Sequence, residues 1–189
     1  EGMGVEVISG QVVTDIDDAR LTRAASIYTV EEARRNGIEL HYVNTKNMAD
    51  PVKELRAMTK DNHGFDDVIC FAPVKPVVEQ GDQILAVDGC LNFFAGPSDL
   101  QFSALMNFYN VHYKRTHITA TSHGNLEDMK EAIRMLDAGQ LNPAALVTHI
   151  GGLDCVAETT LSLPKLPGAK KLIYTHISLP LTALTEFEE

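Results

Sequence analysis

The sequence lacks tryptophan, has three cysteines in 189 residues, and has no apolar run of the roughly 18 residues that a membrane-spanning helix needs. Cys70, Cys90 and Cys155 are too few and too far apart for a disulfide framework or a zinc knuckle. Cys70 and Cys90 stand in apolar runs, where a free cysteine is ordinarily a small core residue. Since no signal-peptide pattern is present either, we expect a cytoplasmic protein with reduced cysteines and no membrane partner.

Basic residues are also scarce. Sixteen Lys and Arg stand against 26 Asp and Glu, which gives a net charge of −10. Contacts to nucleic-acid phosphates need clustered basic side chains, so we expect no nucleic-acid partner. The hydrophobic fraction of 44% and the charged fraction of 22% are those of an ordinary globular protein. The length suits a single domain over the whole chain, 1–189.

Apolar runs alternate with helical patterns along the chain. Strands are predicted at 11–15, 38–43, 67–71, 90–94, 117–121 and 171–174. Helices are predicted at 18–28, after Thr29, from Asp50-Pro51, and at 74–85, 125–138 and 153–163. This alternation indicates βαβ crossovers and therefore a parallel sheet in a three-layer α/β sandwich of the Rossmann type. Ligands of such sheets bind outside the carboxyl ends of the strands.

Asp15 ends the first predicted strand, and Arg20 lies one turn into the helix that follows. An acidic residue at this point of a dinucleotide-binding fold accepts hydrogen bonds from the adenine-ribose hydroxyls. Its charge repels a 2′-phosphate, which favours NAD over NADP. The residues alone leave other roles open, because Asp15 can instead cap the helix and Arg20 can be an ordinary surface residue.

Small residues follow three later predicted strands. The segments are Phe71-Ala72-Pro73, Phe94-Ala95-Gly96-Pro97 and Ala120-Thr121-Ser122-His123-Gly124. Small side chains and glycine allow a flat ligand to lie close to the backbone. Three such strand ends in succession predict a cofactor groove.

Several phrases resemble a known family. The run VVTDIDDARL at 12–21 resembles the second-strand segment of the zinc-type, medium-chain alcohol and polyol dehydrogenases, and 65–97 resembles two later strands of the same domain. GCLNFFAGP, NFYNVHY, THIGGLD and GAKKLIYTH resemble the sorbose-1-phosphate reductase branch of that family. This branch interconverts a ketose phosphate and a hexitol phosphate with a nicotinamide cofactor. The resemblance extends from about residue 10 to residue 184.

The resemblance implies roles for nine residues in binding the dinucleotide. Asp15 and Arg20 would hold the adenine ribose, and Phe71 and Ala72 would flank the adenosine half. Ala95 and Gly96 would pass under the nicotinamide ribose. The backbone of Ala120, Thr121 and Ser122 would face the nicotinamide carboxamide.

Two departures from the family shape the expectations for this chain. The family's catalytic domain, which supplies the Cys, His and Glu ligands of the catalytic zinc, does not precede Glu1 in the sequence given. Zinc polarises the substrate carbonyl. We therefore expect zinc in the parent enzyme only, with no metal site, no catalytic residue and no dehydrogenase activity in this fragment by itself.

The second departure lies in the first fourteen residues. A glycine-rich phosphate turn is expected before Asp15, and Gly2-Met3-Gly4 is interpreted as its tail. Six residues, 5–10, separate Gly4 from Gln11, whereas a crossover helix needs about ten or more. We therefore expect that the first strand is missing and that the sheet has a gap at its centre.

Two other classes of function remain open from the sequence. A methyltransferase also places an acidic residue at this strand end to bind ribose hydroxyls. A non-catalytic module for oligomerisation or ligand sensing would pair an exposed edge strand at 117–122 across a homodimer. The aromatic segment 107–113 is interpreted as a helix packing Phe108 and Val111 inward, with a lid over the cofactor as the alternative.

Overall fold

The structure is a computed structural model that describes residues 9–187. The chain divides into two compact units, Glu1–Gly124 and Asn125–Glu189. The first unit contains β1 (Ser9–Asp15), α1 (Asp18–Ile27), α2 (Val30–Arg35), β2 (Ile38–Asn44), α3 (Pro51–Arg56), β3 (Phe65–Cys70), α4 (Lys75–Ile84), β4 (Leu85–Phe93), α5 (Phe108–Tyr113) and β5 (His117–Thr119). The second contains α6 (Leu126–Asp137), β6 (Val147–Gly152), α7 (Val156–Ser162), β7 (Lys170–Tyr174) and β8 (Thr182–Ala183).

Every strand pair of the first unit is parallel. β1 pairs with β2 along its whole length, and β4 pairs with β3 on one side and β5 on the other. Parallel neighbours need crossover connections, which α1 and α2, α4, and α5 provide. The predicted α/β fold with parallel sheets of the Rossmann type is therefore confirmed.

A cleft of about 120 Å³ lies between β1 and β3. Val12 and Thr14 line it from β1, and Val68 and Cys70 line it from β3. Among the described strands, none joins β1 to β3 by hydrogen bonds. The predicted tail of the phosphate turn, 2–4, falls outside the described residues.

Polar side chains cap the starts of three helices. The Asp17 carboxylate caps α1 by accepting hydrogen bonds from the backbone N–H groups of Ala19 and Arg20. The Asp50 carboxylate caps α3, which has proline in its first turn. In the second unit, Asn125 and Asp128 form a reciprocal capping box at the start of α6.

The core of the first unit lies between α4 and one face of β3 and β4. Cys70, Val78, Leu85 and Leu91 form its buried cluster. Gly81 lets α4 approach the sheet, because a Cβ atom there would lie 3.0 Å from Leu91 Cδ1. The interpretation of Cys70 as a core residue is consistent with its 3% exposure.

Strand β4 begins at Leu85, five residues before the predicted start at Cys90. Asp88-Gly89, interpreted from the sequence as a turn, lies inside the strand. Asp88 has φ 62°, and the register between β3 and β4 shifts between Phe65 and Asp67. The turn-forming residues therefore produce a bulge, which bends a strand without ending it.

Helix α5 forms in the predicted aromatic segment, but the predicted inward packing of Phe108 is wrong, because Phe108 is 75% exposed. The second unit has the strand order β7-β6-β8, in which β7 is parallel and β8 antiparallel to β6. Within residues 9–187, no helix is both long enough and apolar enough to cross a membrane.

Candidate functional site

Asp15 is held in place at the carboxyl end of β1. Its carbonyl oxygen accepts a hydrogen bond of 3.0 Å from the N–H of Thr45, which ties the end of β1 to the residue after β2. Its Oδ1 accepts hydrogen bonds from the N–H groups of Ile16 at 2.7 Å and Asp17 at 3.0 Å. The backbone thus fixes the orientation of the carboxylate.

The second oxygen of Asp15 faces Arg20. Asp15 Oδ2 lies 3.6 Å from Arg20 Nη1, and Arg20 Nε lies at the same distance from Asp17 Oδ2. These are long ion pairs, and the Arg20 side chain is 73% exposed. Because Asp17 caps α1, the alternative role of Asp15 as the helix cap is not supported. The Asp15 side chain is 27% exposed, so its carboxylate is partly open to solvent.

The ends of β3 and β4 are joined by a backbone hydrogen bond of 2.9 Å from the N–H of Ala95 to the carbonyl of Cys70. Beyond this bond the rings of Phe71 and Phe94 pair, with centroids 5.4 Å apart and planes tilted by 59°. The two residues are 71% and 57% exposed. Two adjacent strand ends therefore present an exposed aromatic pair.

The small residues of these strand ends differ in burial. Ala95 is 7% exposed, whereas Ala72 is half-buried and Gly96 is exposed. A Cβ atom on Gly96 would meet nothing within 4 Å, so this chain itself does not require glycine there. A ligand lying against the backbone would require it.

The cleft between β1 and β3 is lined by residues from the carboxyl ends of both strands. Thr14 and Cys70 both line that cleft, and the residues that follow them are Asp15 and Phe71. Asp15 and Phe71 thus each follow a residue that lines the cleft.

Ala120, Thr121 and Ser122 follow β5 and are exposed. The pairing of Asn92 with Thr119 sets the end of β5 beside β4. Ala120, Thr121 and Ser122 therefore lie two strands away from the cleft, at the far edge of the three-stranded sheet.

Nucleophilic and metal chemistry find little support in the described residues. Burial raises the pKa of the Cys70 thiol, which donates a hydrogen bond to the Ala72 carbonyl. A raised pKa keeps the sulfur protonated at neutral pH. In the described part of the chain no three His, Cys, Asp or Glu side chains are grouped so that they could hold a metal ion.

Sequence reasoning missed Phe94 as the partner of Phe71. The register of the parallel strands β3 and β4 could have revealed this pairing. Cys70 pairs with Phe93, so the residues that follow them lie side by side. The cap role of Asp17 was also missed, although Asp is a favoured N-cap residue.

The sequence profile of the zinc-binding dehydrogenase family matches residues 3–138. The mannitol-1-phosphate 5-dehydrogenase of Aliivibrio fischeri is 52% identical over 93% of this chain and 41% of its own length. The L-sorbose 1-phosphate reductase of Klebsiella pneumoniae is 42% identical over 94% of this chain and 42% of its own length. The chain thus spans about two-fifths of these curated relatives.

Among solved structures, the 2R,3R-butanediol dehydrogenase of Bacillus subtilis superimposes with a TM-score of 0.70 over 89% of this chain and 44% of the other. Its sequence identity is 16%, so this likeness concerns the fold alone. The family match and the fold favour a dehydrogenase over the methyltransferase alternative.

Proposed function

The chain belongs to the zinc-binding dehydrogenase family, and on that premise we propose that it is the nucleotide-binding part of an oxidoreductase that interconverts a ketose phosphate and a hexitol phosphate. The names of two relatives support the substrate class, since one acts on mannitol 1-phosphate and the other on L-sorbose 1-phosphate. The nucleotide-binding role depends on residues of this chain.

The position of the Asp15 carboxylate carries the proposal. Backbone N–H groups hold Oδ1, while Oδ2 has one long ion pair with a mostly exposed Arg20. A cis-diol presents two hydroxyl donors, which a carboxylate accepts well. We assign Asp15 to the adenine ribose of NAD and Arg20 to the rim of that ribose site.

The other strand ends would continue the cofactor site. Phe71 and Ala72 would flank the adenosine half, and Ala95 and Gly96 would lie under the nicotinamide ribose. The backbone of Ala120, Thr121 and Ser122 would face the carboxamide. The exposed backbone at Gly96 fits a ligand at close range, because within residues 9–187 no atom beyond its two chain neighbours lies within 4 Å of where a Cβ atom would stand.

The preference for NAD over NADP follows from charge. A 2′-phosphate on the adenosine ribose would meet the Asp15 carboxylate, and like charges at short range disfavour binding. Arg20 offers some compensation, but its long ion pairs already direct it toward Asp15 and Asp17. We expect NADPH to bind more weakly than NADH.

We assign the activation of the substrate to a part of the enzyme other than the residues described in this structure. The family's name implies zinc, and the described residues supply no ligand cluster for it. The contribution of this chain to the whole enzyme would be to bind and orient the dinucleotide.

Titration with NADH tests the nucleotide assignment. Asp15→Ala removes the ribose acceptor, and hydrogen bonds to charged groups contribute about 1.5–3 kcal/mol each, so we expect about a tenfold or greater loss of affinity. Asp66→Asn is a control, since it removes one negative charge from an exposed position of β3 in the same unit. Unchanged NADH affinity in Asp15→Ala would refute the ribose assignment.

The substrate proposal is tested on the product of the whole reading frame that encodes this chain. NADH consumption is measured with ketohexose phosphates and with the same sugars lacking phosphate. We expect turnover of the phosphorylated sugars alone. Equal rates with both would show that phosphate is not recognised.

We also propose a reducing, cytoplasmic compartment and a homodimer. All three cysteines are free, which fits a reducing compartment. β5 ends the strand order of its sheet and exposes Ile118 by 51%, which fits pairing of this edge with a second copy. Sedimentation at increasing concentration tests the dimer, and a monomer throughout would contradict it.

A further inference from the structure

The second unit contains a cavity of about 420 Å³ between α7 and β7. Most of its wall is apolar: Val156 comes from α7, Leu163 and Leu166 come from the turn after α7, and Ile173 comes from β7. Small-molecule sites typically have volumes of roughly 300–1,000 Å³ and apolar walls with a few polar groups. The cavity is therefore large enough for a small organic ligand.

One polar group of the cavity wall is buried and has no partner. Thr159 lines the cavity from α7 and is 7% exposed. Among the described residues, none forms a hydrogen bond with its hydroxyl group. A buried hydroxyl group without a hydrogen bond costs free energy. A ligand oxygen in the cavity would remove that cost.

The charged side chains of the wall have one sign. Lys170 and Lys171 line the cavity, and none of the described lining residues is acidic. Lys171 Nζ donates hydrogen bonds to the carbonyls of Pro167 at 2.7 Å and Ala169 at 2.8 Å. An ammonium group has three donors, so one N–H of Lys171 is left for a further acceptor. The wall therefore favours an anionic ligand, although the whole chain carries a net charge of −10.

The turn that carries these carbonyls is held in place by β6. Gly168 has φ 80°, and a Cβ atom there would stand 2.6 Å from Thr148 Oγ1. Thr148 Oγ1 also accepts a hydrogen bond of 3.0 Å from the Ala169 N–H. Because the turn is fixed, the carbonyls that orient the Lys171 ammonium group are fixed with it.

We propose that this cavity binds a small carboxylate with an aliphatic tail. The carboxylate would accept hydrogen bonds from the Lys171 ammonium group and the Thr159 hydroxyl group, and the tail would lie against Val156, Leu163 and Ile173. Inorganic phosphate and sugar phosphates fit less well, because they have no apolar part to cover these side chains. The site shares no residue with the dinucleotide site, so this inference does not depend on the proposed function.

Calorimetric titration of the chain with octanoate tests the ligand class. Burial of one CH₂ group changes an affinity by about fourfold, so hexanoate should bind at least about tenfold more weakly than octanoate. Octan-1-ol, which has no charge, should also bind about tenfold more weakly, and inorganic phosphate should not compete with octanoate. Failure of octanoate to bind, or equal affinities for octanoate and octan-1-ol, would overturn the inference.

Two variants test the assigned polar contacts. Lys171→Met removes the charge at similar length and should weaken octanoate binding by about tenfold without changing the affinity for octan-1-ol. Thr159→Val removes the hydroxyl group at similar shape and should weaken octanoate binding by about fivefold. Unchanged octanoate affinity in both variants would contradict the proposed site.

Lys130→Met is the matched control, because it removes the same charge from α6 of the same unit and Lys130 does not line the cavity. Its octanoate affinity should equal that of the wild type, and an equal loss in Lys130→Met and Lys171→Met would overturn the inference. Melting temperatures verify that each variant folds.

The titration is repeated on the product of the whole reading frame that encodes this chain. We expect octanoate to bind there with the same affinity. Binding by this chain but not by the whole product would show that another part of the protein fills the cavity, and it would overturn the inference.

Discussion

Arg115 binds the carboxylate of Asp88 with two N–H groups, Nε at 2.6 Å and Nη2 at 2.5 Å, and both residues have left-handed backbone conformations with φ 54° and 62°. The N–H of Asp88 also donates to the Lys114 carbonyl at 2.8 Å. Non-glycine residues seldom adopt positive φ, so these contacts offset a backbone cost. The pair joins the bulge of β4 to the residues just before β5.

The Asp88–Arg115 pair predicts a pH-dependent loss of stability in Arg115→Ala. The hydrogen bond from Arg115, more than its charge, lowers the pKa of the Asp88 carboxyl in the folded protein. The contribution of a carboxyl with a lowered pKa is present above its unfolded value, about 3.9, and disappears as the pH falls through the folded value. Melting temperatures should therefore differ at pH 7 and converge as the pH falls below about 4.

Arg35→Ala is the control for that experiment, since it removes an exposed ion pair with Glu31 inside α2. Pairs of this kind contribute only a few tenths of a kcal/mol in general. A melting-temperature difference between wild type and Arg115→Ala that stays constant from pH 7 to pH 3 would contradict the role of Asp88.

Two carboxylates of α4 hold the segment that follows the end of β4. Asp82, 3% exposed, accepts a hydrogen bond of 3.0 Å from the Asn107 N–H, and Glu79 accepts one of 2.9 Å from the Leu105 N–H. Asp82→Ala should cost about 1–3 kcal/mol, because it removes the acceptor of a partly buried N–H group. Asp82→Asn, which keeps an oxygen, should cost less. Urea unfolding measures both, and equal costs would argue against the hydrogen bond.

Arg56 joins two turns through its guanidinium group. It donates to the carbonyls of Gln83 and Leu85 at the end of α4 and to those of Asn62 and His63 before β3. Removal of these charged donors in Arg56→Ala should destabilise the protein by about 2–4 kcal/mol. Arg56→Lys should recover only part, because an ammonium group cannot reach four carbonyls in a fixed plane. Full recovery by lysine would show that charge alone matters.

Cys70 should be the last of the three cysteines to be alkylated. It is 3% exposed and burial raises its thiol pKa, so less of it is thiolate than in an ordinary cysteine at the same pH. Cys90 and Cys155 are half-buried. Iodoacetamide labelling at pH 8, followed by peptide mass spectrometry, gives the order. Labelling of Cys70 at the rate of the other two would indicate that the end of β3 opens.

The sequence predicted well those features whose causes lie within a few residues. The caps of α3 and α6 depend on one side chain and the turn that follows it, so the starts of these helices could be inferred from Asp50, Pro51 and Asn125. The alternation of strand and helix similarly predicted the parallel pairing.

The failures concern features that depend on distant residues. Leu126, Met129 and Ile133 share one face of α6, and each is about 60% exposed. Helical periodicity shows which residues share a face but does not show what covers them. Phe108 was expected to pack inward for the same reason, and it is exposed instead.

By itself the sequence determined the class of fold, the strand that ends at Asp15 and the residues that follow the other strands, because short-range propensity, capping and apolar patterning are encoded locally. Only the tertiary structure decided that Phe71 meets Phe94 and that Arg115 binds Asp88 inside a bulged strand. These relationships join residues more than twenty positions apart. Strand register and helix packing set them, and no local pattern specifies either.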